Sequence, residues 1–305
     1  MSNLLIFIFS VVFSYVFLKK IIPYLSKDLP NERSLHDKPI ARGGGIIFLL
    51  ITIITLPFSK FYSIFLFLPL AFVSFLDDLF SISPKIRYLI HVSTIFLILI
   101  TNFNFFILDK PIINFFIYLI LLLVGTSIIN FSNFMDGINS LLTSTIAITF
   151  INVILIKNPV HLYPILGSLL VFYFFNKTPA KVFMGDIGST FLGALLFLEI
   201  ISAKSLIESF MILAVSLPIF IDAFSCVVRR FLNGEDIFKA HKKHLYQRLV
   251  NSGYSHTRVA QIYSASCIII CLTCLTENII MIFASIIMVI LFGLIMEKYI
   301  AKPFN

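Results

Sequence analysis

The chain has 305 residues, 59% hydrophobic and 12% charged, with a mean hydropathy of +1.02. A soluble chain of this length carries about 25% charged residues to cover its surface, so the 35 Phe and the long Ile/Leu runs must face lipid, and a water-soluble domain is excluded. The net charge of +8 comes without the basic, polar-interleaved stretch of a nucleic-acid groove, so no nucleic-acid partner is expected.

Apolar runs near the roughly 20 residues that cross a bilayer lie at 4–22, 43–58, 61–76, 87–101, 112–129, 139–156, 162–176, 188–203, 206–225, 260–276 and 278–296. They predict an all-α, polytopic bundle of about eleven transmembrane helices, one domain over residues 1–305. Lys19 and Lys20 follow the first run instead of preceding it, and no small-residue cleavage site appears. The run is therefore expected to stay as a span and not to be a signal peptide. Runs 43–58 and 188–203 are short for a full crossing. The longest polar stretches, Lys27–Arg42 and Arg229–Arg258, leave no room for a soluble domain.

With eleven crossings, nineteen of the 23 basic residues fall on one side, leaving Lys60, Lys110, Lys157 and Lys204 on the other. The positive-inside rule makes the rich side cytoplasmic, with the N-terminus outside and the C-terminus inside. Asp28, Glu32, Asp37, Asp77, Asp78, Asp136, Asp186, Glu235, Asp236 and Glu297 fall on that side too, Asp109, Glu208 and Glu277 on the other, and Glu199 and Asp222 within apolar runs. An ion-coupled transporter concentrates ionisable groups at the midplane. Carboxylates at helix ends on one face suit a site where a soluble anion meets a lipid.

Four segments of that face carry unusual chemistry. The adjacent carboxylates Asp77-Asp78 close an apolar helix, an unfavourable pairing unless a cation is shared; Asn130, Asn133 and Asp136 recur every third residue before Gly137 and Asn139, a set able to hold an amide-bearing sugar, a nucleobase or a hydrated cation. Phe183-Met-Gly185-Asp186-Ile-Gly-Ser189 flanks a hard oxygen donor with glycines that admit close approach. His241-Lys-Lys-His244-Leu-Tyr-Gln-Arg248 offers a phosphate-binding surface. His36, His91, His161 and His256 have no comparable company and read as structural. Cys267, Cys271 and Cys274 spell C-x3-C-x2-C inside an apolar run, where a cluster-binding loop would leave backbone unsatisfied in lipid, so these and Cys226 read as small buried residues. Carboxylates for a divalent cation, cations for phosphate and a membrane for the second substrate together point to phosphoryl transfer onto or from a lipid.

Arg42-Gly-Gly-Gly45, Asp77-Asp78, Asn130-x-x-Asn133-x-x-Asp136-Gly137, Phe183-Met-Gly-Asp186-x-Gly-Ser189, Asp222 followed by Arg229-Arg230, and His241-x-x-His244 form an ordered set that resembles the polyprenyl-phosphate N-acetylhexosamine-1-phosphate transferases, glycosyltransferase family 4. The resemblance implies a catalytic bundle of ten or eleven spans in the bacterial cytoplasmic membrane, with its site on the cytoplasmic face. It implies transfer of a sugar-1-phosphate from a UDP-N-acetyl sugar to undecaprenyl phosphate, releasing UMP. Mg2+ is the implied cofactor, with Mn2+ an acceptable substitute, and homodimerisation is left open. By carry-over Asp186 ligates Mg2+, and Asp77 or Asp78 acts on the lipid phosphate as base or as a second cation contact. Asn130, Asn133, Asp136 and Asn139 line the nucleotide pocket with Gly185 and with Phe183, which stacks on uracil; His241, His244 and Arg248 hold phosphate or sugar, and Lys38 or Arg42 assists. Asn139-Ser140 stands where many relatives have Asp-Gly, and Ser81 replaces a further acid that some carry. The loop around His244 looks like the branch that starts O-antigen or capsule repeats of lipopolysaccharide and cell-wall glycans. UDP-N-acetylfucosamine or UDP-N-acetylquinovosamine is therefore the favoured donor, with UDP-N-acetylglucosamine the alternative. Readings of another class are a transporter coupled through Glu199 and Asp222, or a non-catalytic scaffold.

Overall fold

The computed structural model describes residues 2–30, 35–80, 82–102, 110–237, 239 and 241–304. Glu32, Arg33, Ser81 and Asp109, used in the topology and motif readings, lie outside them. The order is α1 (Asn3–Ile21), β1 (Lys27–Asp28), β2 (Ile40–Ala41), α2 (Ile46–Ile54), α3 (Leu56–Ser59), α4 (Ile64–Phe80), α5 (Pro84–Asn102), α6 (Pro111–Phe134), α7 (Leu141–Lys157), α8 (Leu162–Asn176), α9 (Gly185–Ile201), α10 (Leu206–Leu232), α11 (Leu245–Asn251), α12 (His256–Cys274) and α13 (Ile279–Tyr299). Each apolar run is helical, the run 43–58 as two short helices, α2 and α3, that meet at Thr55. Ile- and Phe-rich segments favour strands in water, but in lipid a lone strand leaves its backbone polar groups unpaired, whereas a helix satisfies them internally.

The protein is an all-α, multi-pass membrane protein. Helices α1, α5, α6, α10, α12 and α13 are long and apolar enough to cross a bilayer. Their outward faces carry exposed Leu4, Ile112, Ile280 and Leu291, side chains that only lipid would accommodate in such number. Ser2, Ser205 and Ser255 cap α1, α10 and α12 by accepting N–H bonds in the first turn, which closes orphan donors at the membrane faces.

Helix α9 is the axis of the bundle. Every residue from Gly185 to Glu199 is buried, and α9 packs against α2, α4, α5, α6, α7 and α10. At 17 residues it spans about 25 Å, so its two ends lie near the two faces of the bundle.

Glu199 sits in the last turn of α9, not near a span centre, and the sequence reading of His161 as a residue without company is corrected. The Glu199 carboxylate accepts from Lys157 Nζ at 2.8 Å and pairs with His161 Nε2 at 2.7 Å, while the His161 ring stacks on Phe61 at 3.9 Å between centroids. This polar knot ties α7, α8 and α9 at the end remote from Asp186, and its groups neutralise one another. Glu199→Ala takes the carboxylate from half-buried Lys157, which keeps its bonds to the residue 199 carbonyl and to Ser202 Oγ, and is expected to cost about 1–3 kcal/mol, read as a lower thermal midpoint in detergent with unchanged activity per folded molecule.

Candidate active site

The tri-glycine run makes the site buildable. Gly44 N–H donates to Phe183 O at 3.0 Å, Gly45 N–H to Met184 O at 2.9 Å, and Phe183 N–H to Ala41 O at 2.7 Å, so segment 41–45 lies flat on segment 182–184. A Cβ on Gly45 would come within 2.4 Å of Gly188 Cα, so no larger residue fits there. The contact brings Arg42 onto the N-terminus of α9.

Asp78 finishes that junction from α4. Its carboxylate accepts the Asp186 N–H at 2.9 Å and the Ile187 N–H at 3.2 Å and the Arg42 Nε at 2.8 Å, with its side chain 2% exposed. It therefore caps α9 from a neighbouring helix, where a negative charge meets the positive end of the helix dipole. Gly185 holds a φ of +75°, and a Cβ there would lie 2.5 Å from Asp78 Oδ2.

Asp186 is the hub. Arg42 Nη2 donates to its Oδ1 and Arg87 Nη1 to its Oδ2, both at 2.8 Å, and the same Arg87 nitrogen reaches Asp77 Oδ2 at 2.8 Å. Asp77 also accepts the Ile82 N–H. Arg87 was counted in the sequence only as a topological charge, and its signal was faint: one arginine opening the helix after a carboxylate pair.

Asp186, Arg42 and Arg87 stand at the wall of a cavity of about 780 Å3. Arg42, Asn130, Asn133, Asp136, Phe183, Gly185, Asp186, His241 and His244 line it, as the motifs suggested. It is also lined by Asp28, His36, Arg87, His91, Tyr246 and Gln247, to which the motif reading gave no role; His36 and His91 have polar company that their sequence neighbours did not show. His36 bonds Asp28 Oδ2 at 3.2 Å and stands edge-on to Phe183 at 5.0 Å, and His91 bonds Asn130 Oδ1 at 3.2 Å. Asn133 donates to Ser189 Oγ at 3.0 Å.

Five motif residues are placed otherwise. Asp77 and Asp78 sit behind the arginines and not on the cavity wall. Asn139 is buried and donates to Thr178 Oγ1 at 3.0 Å, and Lys38 is exposed. Arg248 is turned away: it donates to Lys243 O at 3.1 Å, to Lys302 O at 2.9 Å and to Glu297. It fastens the C-terminal segment to the loop before α11, so a direct phosphate contact from Arg248 is not what this arrangement offers.

Asp222 positions the histidine loop. It accepts the Leu245 N–H at 2.7 Å, the Tyr246 N–H at 3.0 Å and the Tyr263 hydroxyl at 2.6 Å, capping α11 from α10. Tyr246 in turn donates to Phe134 O at 2.9 Å, passing so close to Gly137 that a Cβ there would lie 2.0 Å from its hydroxyl. Burial, with His244 and Arg230 adding to it, pushes His241 down to about 3. It is neutral at physiological pH and meets a ligand through hydrogen bonds, not charge.

Four carboxylates, Asp77, Asp78, Asp136 and Asp186, face two guanidiniums. The Asp136 carboxylate makes no hydrogen bond among the described residues, and burial together with the nearby Asp186 raises it well above the ordinary range. A surplus of hard oxygen donors, one without a partner, fits a divalent cation such as Mg2+, which also keeps several waters.

A helical bundle with a carboxylate–arginine hub on the wall of a polar cavity is a polytopic membrane protein with a site suited to anionic ligands. Residues 60–204 match the model of glycosyl transferase family 4. The chain is 30% identical to a phospho-N-acetylmuramoyl-pentapeptide-transferase of Clostridium perfringens, over 75% of this chain and 81% of that one. It is 28% identical to a probable undecaprenyl-phosphate N-acetylglucosaminyl 1-phosphate transferase of Bacillus subtilis, over 91% of this chain and 87% of that one. A decaprenyl-phosphate N-acetylglucosaminephosphotransferase of Mycobacterium leprae is 32% identical over 46% of this chain and 43% of its own. The chain belongs to glycosyl transferase family 4.

Proposed function

We propose that the protein transfers an N-acetylhexosamine-1-phosphate from a UDP-sugar to undecaprenyl phosphate at the cytoplasmic face of a bacterial inner membrane, releasing UMP and starting a cell-surface polysaccharide repeat. The observation that carries this reading is Asp186 with Arg42 and Arg87 at the wall of a polar cavity in a lipid-embedded bundle. The distribution of basic residues supports an N-terminus outside and a C-terminus inside.

In this reading an oxygen of the lipid phosphate attacks the sugar-bearing phosphorus of the donor, and the bond to the bridging oxygen breaks, leaving UMP. A phosphate monoester has a second pKa of about 6 and is largely dianionic at neutral pH, so the nucleophile needs orientation more than a base. This favours cation contact over proton abstraction for Asp77. Asp186 and Asp136 would hold Mg2+, which supplies neutralisation of diphosphate charge. Arg42 and Arg87 exchange carboxylate for phosphate oxygens as the substrate enters, Phe183 and His36 offer an aromatic wall for the base, and Asn130 and Asn133 offer amides to nucleotide or sugar.

The loop around His244 supports a 6-deoxy donor, UDP-N-acetylfucosamine or UDP-N-acetylquinovosamine. The similarity to the Bacillus subtilis protein along most of both chains supports UDP-N-acetylglucosamine. Purified protein with undecaprenyl phosphate, Mg2+ and a panel of UDP-N-acetyl sugars is expected to release UMP with at least one donor, and the best donor decides between these readings. No UMP with any donor, together with solute uptake into vesicles, would establish transport instead.

Because Asp136 sheds its proton only above a raised pKa, apparent Mg2+ affinity is expected to weaken as pH falls, by up to about tenfold per pH unit below that pKa. Asp136→Asn is expected to flatten this dependence. The stability effect has the opposite sense: with its pKa raised in the folded state, Asp136 favours folding at low pH and costs stability as pH rises. A Mg2+ titration of UMP release across pH checks the first, and thermal midpoints without metal check the second.

A further inference from the structure

Cys226, His241 and His244 present one ligand atom each, all within 4.8 Å of one another. Cys226 comes from α10 and is 2% exposed, and the histidines come from the loop leading into α11, His244 being 3% exposed. His244 Nδ1 is buried with no hydrogen-bond partner, its nearest acidic neighbour Asp222 Oδ1 lying 3.8 Å away. A buried, unsatisfied imidazole nitrogen is costly unless something occupies it.

We propose that these three side chains bind a thiophilic transition-metal ion such as Zn2+, and that its binding staples the loop at 241–244 to α10 and inhibits the enzyme. One thiolate and two imidazoles are a soft, nitrogen–sulfur set that prefers Zn2+ to Mg2+, whereas the carboxylates around Asp186 prefer Mg2+. The two sites are therefore chemically distinct although they border one cavity. Bond lengths to Zn2+ place ligand atoms roughly 3.4–3.6 Å apart, so closure needs movements on the order of 1 Å, which the 241–244 loop can supply. The Cys226 thiol proton goes to solvent on binding, and three protein ligands leave a fourth position for water. His241 and His244 line the cavity, so an ion that fixes them withdraws both from a substrate. The binding does not depend on the transfer reaction, whereas the inhibition rests on the functional reading above.

The test uses full-length protein in detergent with Co2+ as a spectroscopic probe for the zinc site. A thiolate-to-cobalt charge-transfer band is expected in the wild type and in a Cys267/Cys271/Cys274→Ser triple variant, and not in Cys226→Ser. Zn2+ is expected to bind Cys226→Ser at least about tenfold more weakly, with loss of the single proton released per ion. His241→Ala, which asks nothing of helix packing, is expected to show a comparable loss of affinity. With excess Mg2+, Zn2+ should inhibit UMP release by the wild type but not by Cys226→Ser, whose activity without Zn2+ is unchanged. A wild type without the band, a band that survives Cys226→Ser, or equal Zn2+ affinity in both proteins overturns the site. Zn2+ bound at full occupancy with undiminished UMP release overturns the stapling alone, and absence of UMP release from Zn2+-free wild type supplied with Mg2+ and every donor overturns the transfer reading while leaving the site standing.

Discussion

Asp186→Asn is expected to lower UMP release at least about a thousandfold while the protein still folds. Asp186 accepts Arg42 on one oxygen and Arg87 on the other at 2.8 Å, and in the function proposed above it would also hold the Mg2+ ion. Removing one strong electrostatic contact from a transition state costs about 10²–10³-fold, and loss of a bound cation adds several kcal/mol to the barrier. The fold is expected to survive because the arginines are about a third exposed and can be solvated once released. Measured at saturating donor, with the thermal midpoint followed in parallel, the variant should fail in turnover and not in stability. Activity within tenfold of wild type would move the cation to another carboxylate, Asp136 being the nearest alternative by exposure to the cavity.

The apolar runs were legible because the two demands on them coincide: lipid requires length and apolarity, and backbone satisfaction in lipid requires a helix. The run 162–176 and helix α8 agree end to end. Ends built from tertiary contacts were not legible. Helix α9 starts at Gly185, earlier than its apolar run, because Asp78 from α4 caps its first amides. Helix α10 runs on to Leu232, past its apolar run, because Arg229 pairs with Glu297 and Arg230 with Glu235, charges that in sequence read as loop.

The site shows the same division. Motif spacing identified the carboxylates, the amides and Phe183, since these are clustered in sequence. Arg87 lies 99 residues from Asp186 and resembled any basic residue at a helix start, so its role became visible only when α5 and α9 were side by side. Arg248 fails in the opposite way: its type and spacing suit phosphate, but side-chain direction is set by Glu297 and Lys302 at the far end of the chain. Residue type states which chemistry is available, and packing decides what it is aimed at.

That distinction separates the two members of the carboxylate pair. Asp78 spends both oxygens on the Asp186 and Ile187 N–H groups and on Arg42, 2% exposed. Asp77 is bound by the Ile82 N–H and shares one Arg87 nitrogen with Asp186, so it faces the hub through a single guanidinium. Asp78→Asn keeps the volume but sets an amide donor against donors, and is expected to cost about 3–5 kcal/mol of stability, the penalty of breaking a buried charged pair. Asp77→Asn leaves that cap intact and is expected to lose a smaller share of stability but at least about a hundredfold in transfer per folded molecule. Thermal unfolding and UMP release measured on the same preparations decide the matter. A larger stability loss for Asp77→Asn together with a larger rate loss for Asp78→Asn would reverse the assignment, making Asp78 the group that meets the substrate and Asp77 the one that holds the helices in place.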